Sequence, residues 1–115
     1  MDAVFNNSVP IYLQIVNEIK KQIISGKLTP GARIPSVREL ALTYKVNPNT
    51  MQKALTELED EHLIKTERTN GKFVTEDAKI INKIKDEYAD SLTQNYLSEM
   101  ISLGITKQEI KERIK

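Results

Sequence analysis

The stretch Val46-Asn47-Pro48-Asn49-Thr50 constrains this chain more than any other. Asn47 is the residue type that caps a helix by accepting a backbone N–H, and Pro48 suits the first helical position, where its fixed φ fits and its missing N–H is not needed. A second start signal lies shortly before it: Ser36 to Glu39 forms an S-x-x-E capping box, with Ile34 ahead of it as a hydrophobic staple. The spacing predicts a short helix from Val37 to about Tyr44, burying Val37, Leu40, Ala41 and Tyr44. A second follows from Pro48, with Met51, Ala54, Leu55 and Leu58 turned inward. Two short helices joined by so tight a turn make a helix-turn-helix, with Val46 as its buried turn residue.

The flanking segments complete a larger unit. From Pro10 to Ser25, Tyr12, Val16, Ile19 and Ile23 recur at helical spacing, and Ile11, Ile15 and Ile24 widen the stripe. Pro10 is expected at the first helical position with Ser8 as cap, and Gly26 closes the helix in the left-handed conformation that glycine tolerates. Thr29-Pro30-Gly31-Ala32 is a tight corner, with Pro30 fixing φ and Gly31 supplying positive φ. Beyond the helix-turn-helix, Leu63 to Glu67 and Lys72 to Thr75 read as strands joined by Arg68-Thr69-Asn70-Gly71, whose Asn-Gly step favours a hairpin. Ile64, Phe73 and Val74 would close the core. A hairpin after a helix-turn-helix is a winged helix.

The outward face of the second helix, Asn49, Thr50, Gln52 and Lys53, has the chemistry of DNA recognition. Asn and Gln can pair bidentately with adenine, Thr can bond a base or pack its methyl on thymine, and Lys reaches guanine or phosphate. The net charge of only +1 conceals an asymmetry. Between Lys27 and Lys53 the basic residues Lys27, Arg33, Arg38, Lys45 and Lys53 face only Glu39, and a local basic patch binds phosphate even on a nearly neutral chain. The expected DNA-binding set is therefore Ser36, Arg38, Asn47, Asn49, Thr50, Gln52, Lys53, Arg68, Gly71 and Lys72. Arg38, Lys53, Arg68 and Lys72 would mainly hold phosphate, Asn47, Asn49, Thr50 and Gln52 would discriminate bases, and Gly71 would let the wing backbone approach the groove.

Other chemistry has little to work with. The chain has 115 residues, enough for one core and an appendage. It has no cysteine and a single histidine, His62, which reads as a residue at a helix C-terminus. Disulfides, thiolate catalysis and cysteine-bearing zinc sites are excluded, and one histidine disfavours histidine-rich metal sites and a Ser-His-Asp triad, so no catalytic residue, metal or cofactor is expected. A small hydrolase is disfavoured because Glu57, Glu59, Asp60 and Glu61 cluster on a solvated helix end. No apolar run is long enough to span a bilayer, and Met1 to Val9 lack a leader's basic start and apolar core. A cytoplasmic location without membrane contact is the expectation.

Residues 76–115 have no core of their own. Ile80, Ile81, Ile84, Tyr88, Leu92, Tyr96, Met100 and Leu103 recur at helical spacing, with Leu97 and Ile101 broadening the stripe. Gly104 ends that helix, and Thr106 to Glu109 is another capping box before a short helix bearing Ile110 and Ile114. Two helices cannot enclose such a stripe alone, so residues 1–75 are expected to form the DNA-binding domain and residues 76–115 a helical dimerisation tail. Ile84, Tyr88, Leu92, Tyr96, Leu97, Met100, Ile101, Leu103 and Ile110 would line the dimer interface. So short a tail cannot enclose a typical ligand cavity of ~300 Å³ or more within one subunit. A small effector could bind between subunits beside Tyr88, Tyr96 and Met100, although no residue demands one.

These residues carry a resemblance. The runs Pro10-Ile11-Tyr12-Leu13-Gln14-Ile15, Leu28 to Ala41, Val46 to Thr50 and Gly71-Lys72-Phe73-Val74 resemble the DNA-binding domain of the GntR family of bacterial transcriptional regulators. The linked motifs G-x-L-x-P-G-x-x-[IL]-P-S-x-R-x-L-A and V-N-P-N-T are far more specific together than apart. The N-P-N-T variant and short tail are similar to the YtrA-like branch, whose members dimerise through a pair of C-terminal helices. The resemblance implies that Arg38 contacts DNA from the first helix of the motif. It also implies that Asn47, Asn49, Thr50 and then Gln52 do so from the recognition helix, and Gly71 from the wing. Three positions depart from the pattern: Gln52 replaces a common arginine, Thr69 a common wing glycine, and His62 a glycine after the recognition helix.

The fold expected is mainly α with a small β-hairpin, a winged helix-turn-helix followed by a two-helix tail. The function expected is that of a homodimeric repressor binding a palindromic double-stranded operator. The alternative is a winged helix used as a protein-interaction module with only non-specific DNA binding.

Overall fold

A computed structural model of the chain describes residues 8–114, which fall into two compact units, the first ending at Asn82 and the second beginning at Lys83. The boundary lies beyond the expected division after residue 75. The first turn of the long helix that follows belongs to the first unit, where Ile80 and Ile81 are half-buried.

In the first unit, helix α1 (Ile11–Ile24) buries Ile15, Val16, Ile19 and Ile23. Its entry differs from expectation, because Pro10 occupies the cap position and its carbonyl accepts from the Leu13 and Gln14 N–H groups. The corner then turns as foreseen: the Ala32 N–H donates to the Thr29 carbonyl and Gly31 has φ +80°. The corner also leads into a strand that local patterning did not reveal. Strand β1 (Arg33–Ile34) is antiparallel to β3 (Gly71–Val74), which pairs on its other edge with β2 (Ile64–Glu67). The wing is thus the larger part of a three-stranded sheet of order β1-β3-β2. Only Ile34 of β1 points inward, and a strand this short has too few residues to show alternation.

Helices α2 (Val37–Tyr44) and α3 (Pro48–Asp60) form the helix-turn-helix. The Ser36 hydroxyl accepts from the Glu39 N–H at 3.1 Å while the Glu39 carboxylate accepts from the Ser36 N–H at 3.3 Å, so both halves of the capping box are made. Helix α2 ends in a Schellman turn. The Val46 N–H reaches back to the Ala41 carbonyl and Lys45 takes the left-handed conformation at φ 56°. Leu40 and Ala41 are buried, whereas Val37, Tyr44 and Val46 are only half-buried. In α3 the inner stripe Met51, Ala54, Leu55 and Leu58 is fully enclosed. The same turn recurs at its end: the Leu63 N–H bonds to the Leu58 carbonyl, and His62 is left-handed at φ 65°. That conformation costs any residue with a Cβ, which explains why a glycine suits this position. Leu63, Ile64 and Val74 complete the core from the sheet side, with Phe73 half-buried.

The second unit comprises the remainder of α4 (Ala78–Ser102) and α5 (Lys107–Arg113). Gly104, at φ 83°, ends α4 in a further Schellman turn, and Thr106 and Glu109 form the expected capping box at the start of α5. Ile110 is 3% exposed, whereas Leu92, Tyr96, Ile101 and Leu103 are 56%, 41%, 51% and 73% exposed. No helix among the described residues is long and apolar enough to cross a membrane.

Candidate nucleic-acid interface

The opening of α3 is built by its cap. Asn47 Oδ1 accepts from the Asn49 N–H at 2.7 Å, which fixes where the helix begins and which residues its first turn presents. One lone pair of that oxygen is therefore used by the cap, and the other, with the NH₂, remains for an outside partner. The Ser36 hydroxyl is similarly engaged as an acceptor but keeps a proton to donate.

Asn49, Gln52, Lys53 and Thr56 follow the i, i+3, i+4, i+7 pattern and share the exposed face of α3, opposite its buried stripe. The Asn49 side-chain amide makes no hydrogen bond among the described residues, so both of its polar atoms are available. Gln52 Nε2 donates to Thr56 Oγ1 at 3.2 Å, which steadies the side chain and leaves its carbonyl oxygen outward. Thr50 is half-buried beside them, and Arg38 is exposed on α2 with no ion pair among the described residues.

Two lysines assigned to phosphate from the sequence have partners within the protein. The Lys53 ammonium lies 4.0 Å from the centroid of the Tyr12 ring, a cation–π contact that ties α3 to α1. Lys72, whose side chain is 17% exposed, places its ammonium 2.8 Å from Glu59 Oε1 and 2.9 Å from Thr66 Oγ1. Thr66 in turn donates to Glu59 Oε2 at 2.7 Å. Lys72 therefore braces the wing against α3, where the sequence suggested a phosphate contact at the wing tip. At the wing tip, Arg68 is exposed.

Partial burial alone would push the Glu59 carboxyl up, but hydrogen bonds from Lys72 and Thr66 and the Lys72 charge outweigh it, leaving the group below the ordinary carboxylate range. A lowered folded value stabilises the protein above the unfolded carboxylate range, and that contribution disappears as pH falls through the lowered value. Glu59→Gln is expected to cost about 0.5–1 kcal/mol at neutral pH and nothing once the carboxyl is protonated. Urea titrations of both proteins across the acid range check this, since the two stability curves should converge as pH falls.

The wing approaches α2 across a groove of about 310 Å³, whose walls include Ser36, Val37, Arg68, Gly71 and Lys72. Gly71 has φ +100°, and a Cβ there would lie 3.3 Å from Arg33 Nε. Arg33 was not among the expected site residues. Its place beside the wing follows from the β1–β3 pairing, which no local pattern announces. Among the described residues, no group of His, Cys, Asp and Glu side chains could hold a metal ion.

This arrangement matches known proteins. Residues 11–74 match the model for bacterial regulatory proteins of the gntR family. Over all 115 residues the chain is 41% identical to the uncharacterized HTH-type transcriptional regulator YhcF of Bacillus subtilis, covering 95% of that protein. Over 73 residues it is 47% identical to the HTH-type transcriptional repressor YtrA of the same organism, covering 64% of this chain and 56% of YtrA. Among solved structures, a GntR family transcriptional regulator from Listeria monocytogenes superimposes with a TM-score of 0.89 at 44% identity, covering 96% of each chain. The AraR DNA-binding domain, solved in complex with operator ORX1, superimposes with a TM-score of 0.60 at 29% identity over 65% of this chain and 95% of that one. The chain thus belongs to the gntR family of bacterial regulatory proteins, transcriptional regulators that bind DNA and not enzymes.

Proposed function

We propose that this chain is a homodimeric cytoplasmic repressor, in which the winged helix binds DNA, the helical tail joins two copies, and the pair occludes a promoter by occupying a palindromic operator. The observation that carries the DNA-reading part is the exposed start of α3. There the Asn47 cap fixes the helix, the Asn49 amide is unengaged, and Gln52 is held outward by Thr56. Such a surface suits base edges in the major groove, while Arg38 and Arg68 suit the flanking phosphates. The name of YtrA as a repressor and the AraR operator complex support the same reading.

The dimer rests on α4. Leu92, Tyr96 and Ile101 are each more than two-fifths exposed, and Tyr88, Leu97 and Met100 are half-buried beside them. A continuous apolar stripe of this kind marks an interaction surface. Ile84 and Ile110, expected in the same interface, are 9% and 3% exposed in the single chain and have little surface left to offer a partner.

A two-fold dimer places its recognition helices on half-sites about 34–36 Å apart. Selection of bound duplexes from a random pool tests this. The expected product is an inverted repeat with half-sites one helical turn apart; an enriched single half-site, or no enrichment, contradicts the dimeric operator reading.

A further inference from the structure

Arg33 occupies an unusual position. It stands on β1 opposite Phe73 of β3, and its exposed side chain runs back along the wing to Gly71. Nε, Nη2 and Cζ lie 3.3, 3.4 and 3.8 Å from where a Gly71 Cβ would be, so the guanidinium rests against the glycine. It forms no ion pair among the described residues, although Lys72, its neighbour in the same groove, is matched with Glu59. A guanidinium laid on backbone, without a carboxylate, on the rim of a groove shared with Ser36 and Arg68, keeps its donors for an anion from outside.

We propose that Arg33 is a further DNA-binding residue that grips a backbone phosphate at the root of the wing, its guanidinium lying against the Gly71 backbone. The proposal rests on the DNA-binding reading above and adds a contact to it. Because β1 leads directly into α2, one phosphate held by Arg33 would fix the wing and the helix-turn-helix on the same strand of DNA. Its contribution would be sequence-blind, since phosphate contacts set register and do not report base identity.

The test measures equilibrium binding of the full chain, and of Arg33→Ala, Arg33→Lys and Gly71→Ala variants, to operator and scrambled duplexes across a range of salt. Thermal melts accompany each variant. Arg33→Ala should lose roughly 5- to 20-fold on both duplexes and shallow the slope of log affinity against log salt by about 0.9, one phosphate's worth of counterion release. Arg33→Lys should keep most of the slope. Gly71→Ala strains the wing backbone at φ +100° and shifts the guanidinium only slightly, so it should lower affinity while keeping the salt slope of the wild type. Unchanged affinity and slope in a folded Arg33→Ala protein, while the wild type binds operator tightly, overturn the Arg33 contact alone. Absence of salt-sensitive binding by the wild type overturns the DNA-binding reading and this contact with it.

Discussion

Replacing both Leu92 and Tyr96 with glutamate should convert the protein to a folded monomer and lower its operator affinity by on the order of 10²–10⁴-fold. The two residues lie one helical turn apart on α4 and are 56% and 41% exposed, so neither is needed to fill the core of its own chain. Charge placed there costs little in a monomer and a great deal in an apolar interface, where an unpaired carboxylate would be stripped of water. The loss on DNA follows from avidity: once one half-site is held, the second recognition helix binds at a high effective concentration, and a monomer forfeits that advantage. Sedimentation velocity should show the mass halved and circular dichroism should show the helices retained. A double variant that keeps the dimer mass would move the interface away from this stripe.

Asn49→Ala should cost about 1–3 kcal/mol on the operator and almost nothing on unrelated DNA. The side chain stands in the first turn of α3, and its own backbone N–H is already satisfied by Asn47 Oδ1, so truncation leaves the cap intact. Both amide atoms are wholly available for a bidentate contact with adenine, whereas the Asn47 oxygen already accepts one bond and the Gln52 NH₂ already donates one within the protein. Competition binding with operator variants carrying single base changes checks the assignment. Asn49→Ala should relax discrimination at one base pair of each half-site, and an equal loss on operator and random DNA would assign Asn49 to the backbone instead.

What could be read in advance divides along a physical line. The capping boxes at Ser36 and Thr106, the Asn47-Pro48 start of α3, the Gly26 and Gly104 stops and the hairpin at Asn70-Gly71 are local signals, each complete within a few residues. The caps and stops appear in the structure where the sequence places them, while the hairpin forms with Gly71 already in β3, opposite Glu67, and the loop confined to Arg68, Thr69 and Asn70. The winged-helix architecture follows from their order. Features that depend on distant partners were not legible. Strand β1 exists only because Arg33 and Ile34 pair with residues near 73, and two residues carry no periodicity. The Lys72–Glu59 brace and the Lys53–Tyr12 contact each join residues from different elements, so exposure-by-pattern assigned both lysines to DNA. Ile84 and Ile110 fall on the apolar stripe like their neighbours, and their burial depends on how the helices pack.

His62 shows the same division within one residue. As the sole histidine after a recognition helix it reads as a residue favouring the helix dipole. The structure places it at that helix end, as read, and adds that it closes a Schellman turn in the left-handed conformation, with its side chain exposed. The local constraint there is φ, which sequence reports clearly only when the residue is glycine.

The central claim, that the capped face of α3 reads DNA sequence, is tested most directly by fluorescence anisotropy of the full chain at two salt concentrations. The probes are the duplex enriched by selection, or one from upstream of the protein's own gene, and a scrambled duplex of equal length. Binding to the first tighter by ~10³-fold or more, with both affinities falling as salt rises, is the predicted result. Equal, salt-sensitive binding to both duplexes would contradict it, leaving a basic surface that holds phosphate and a recognition face that reads nothing.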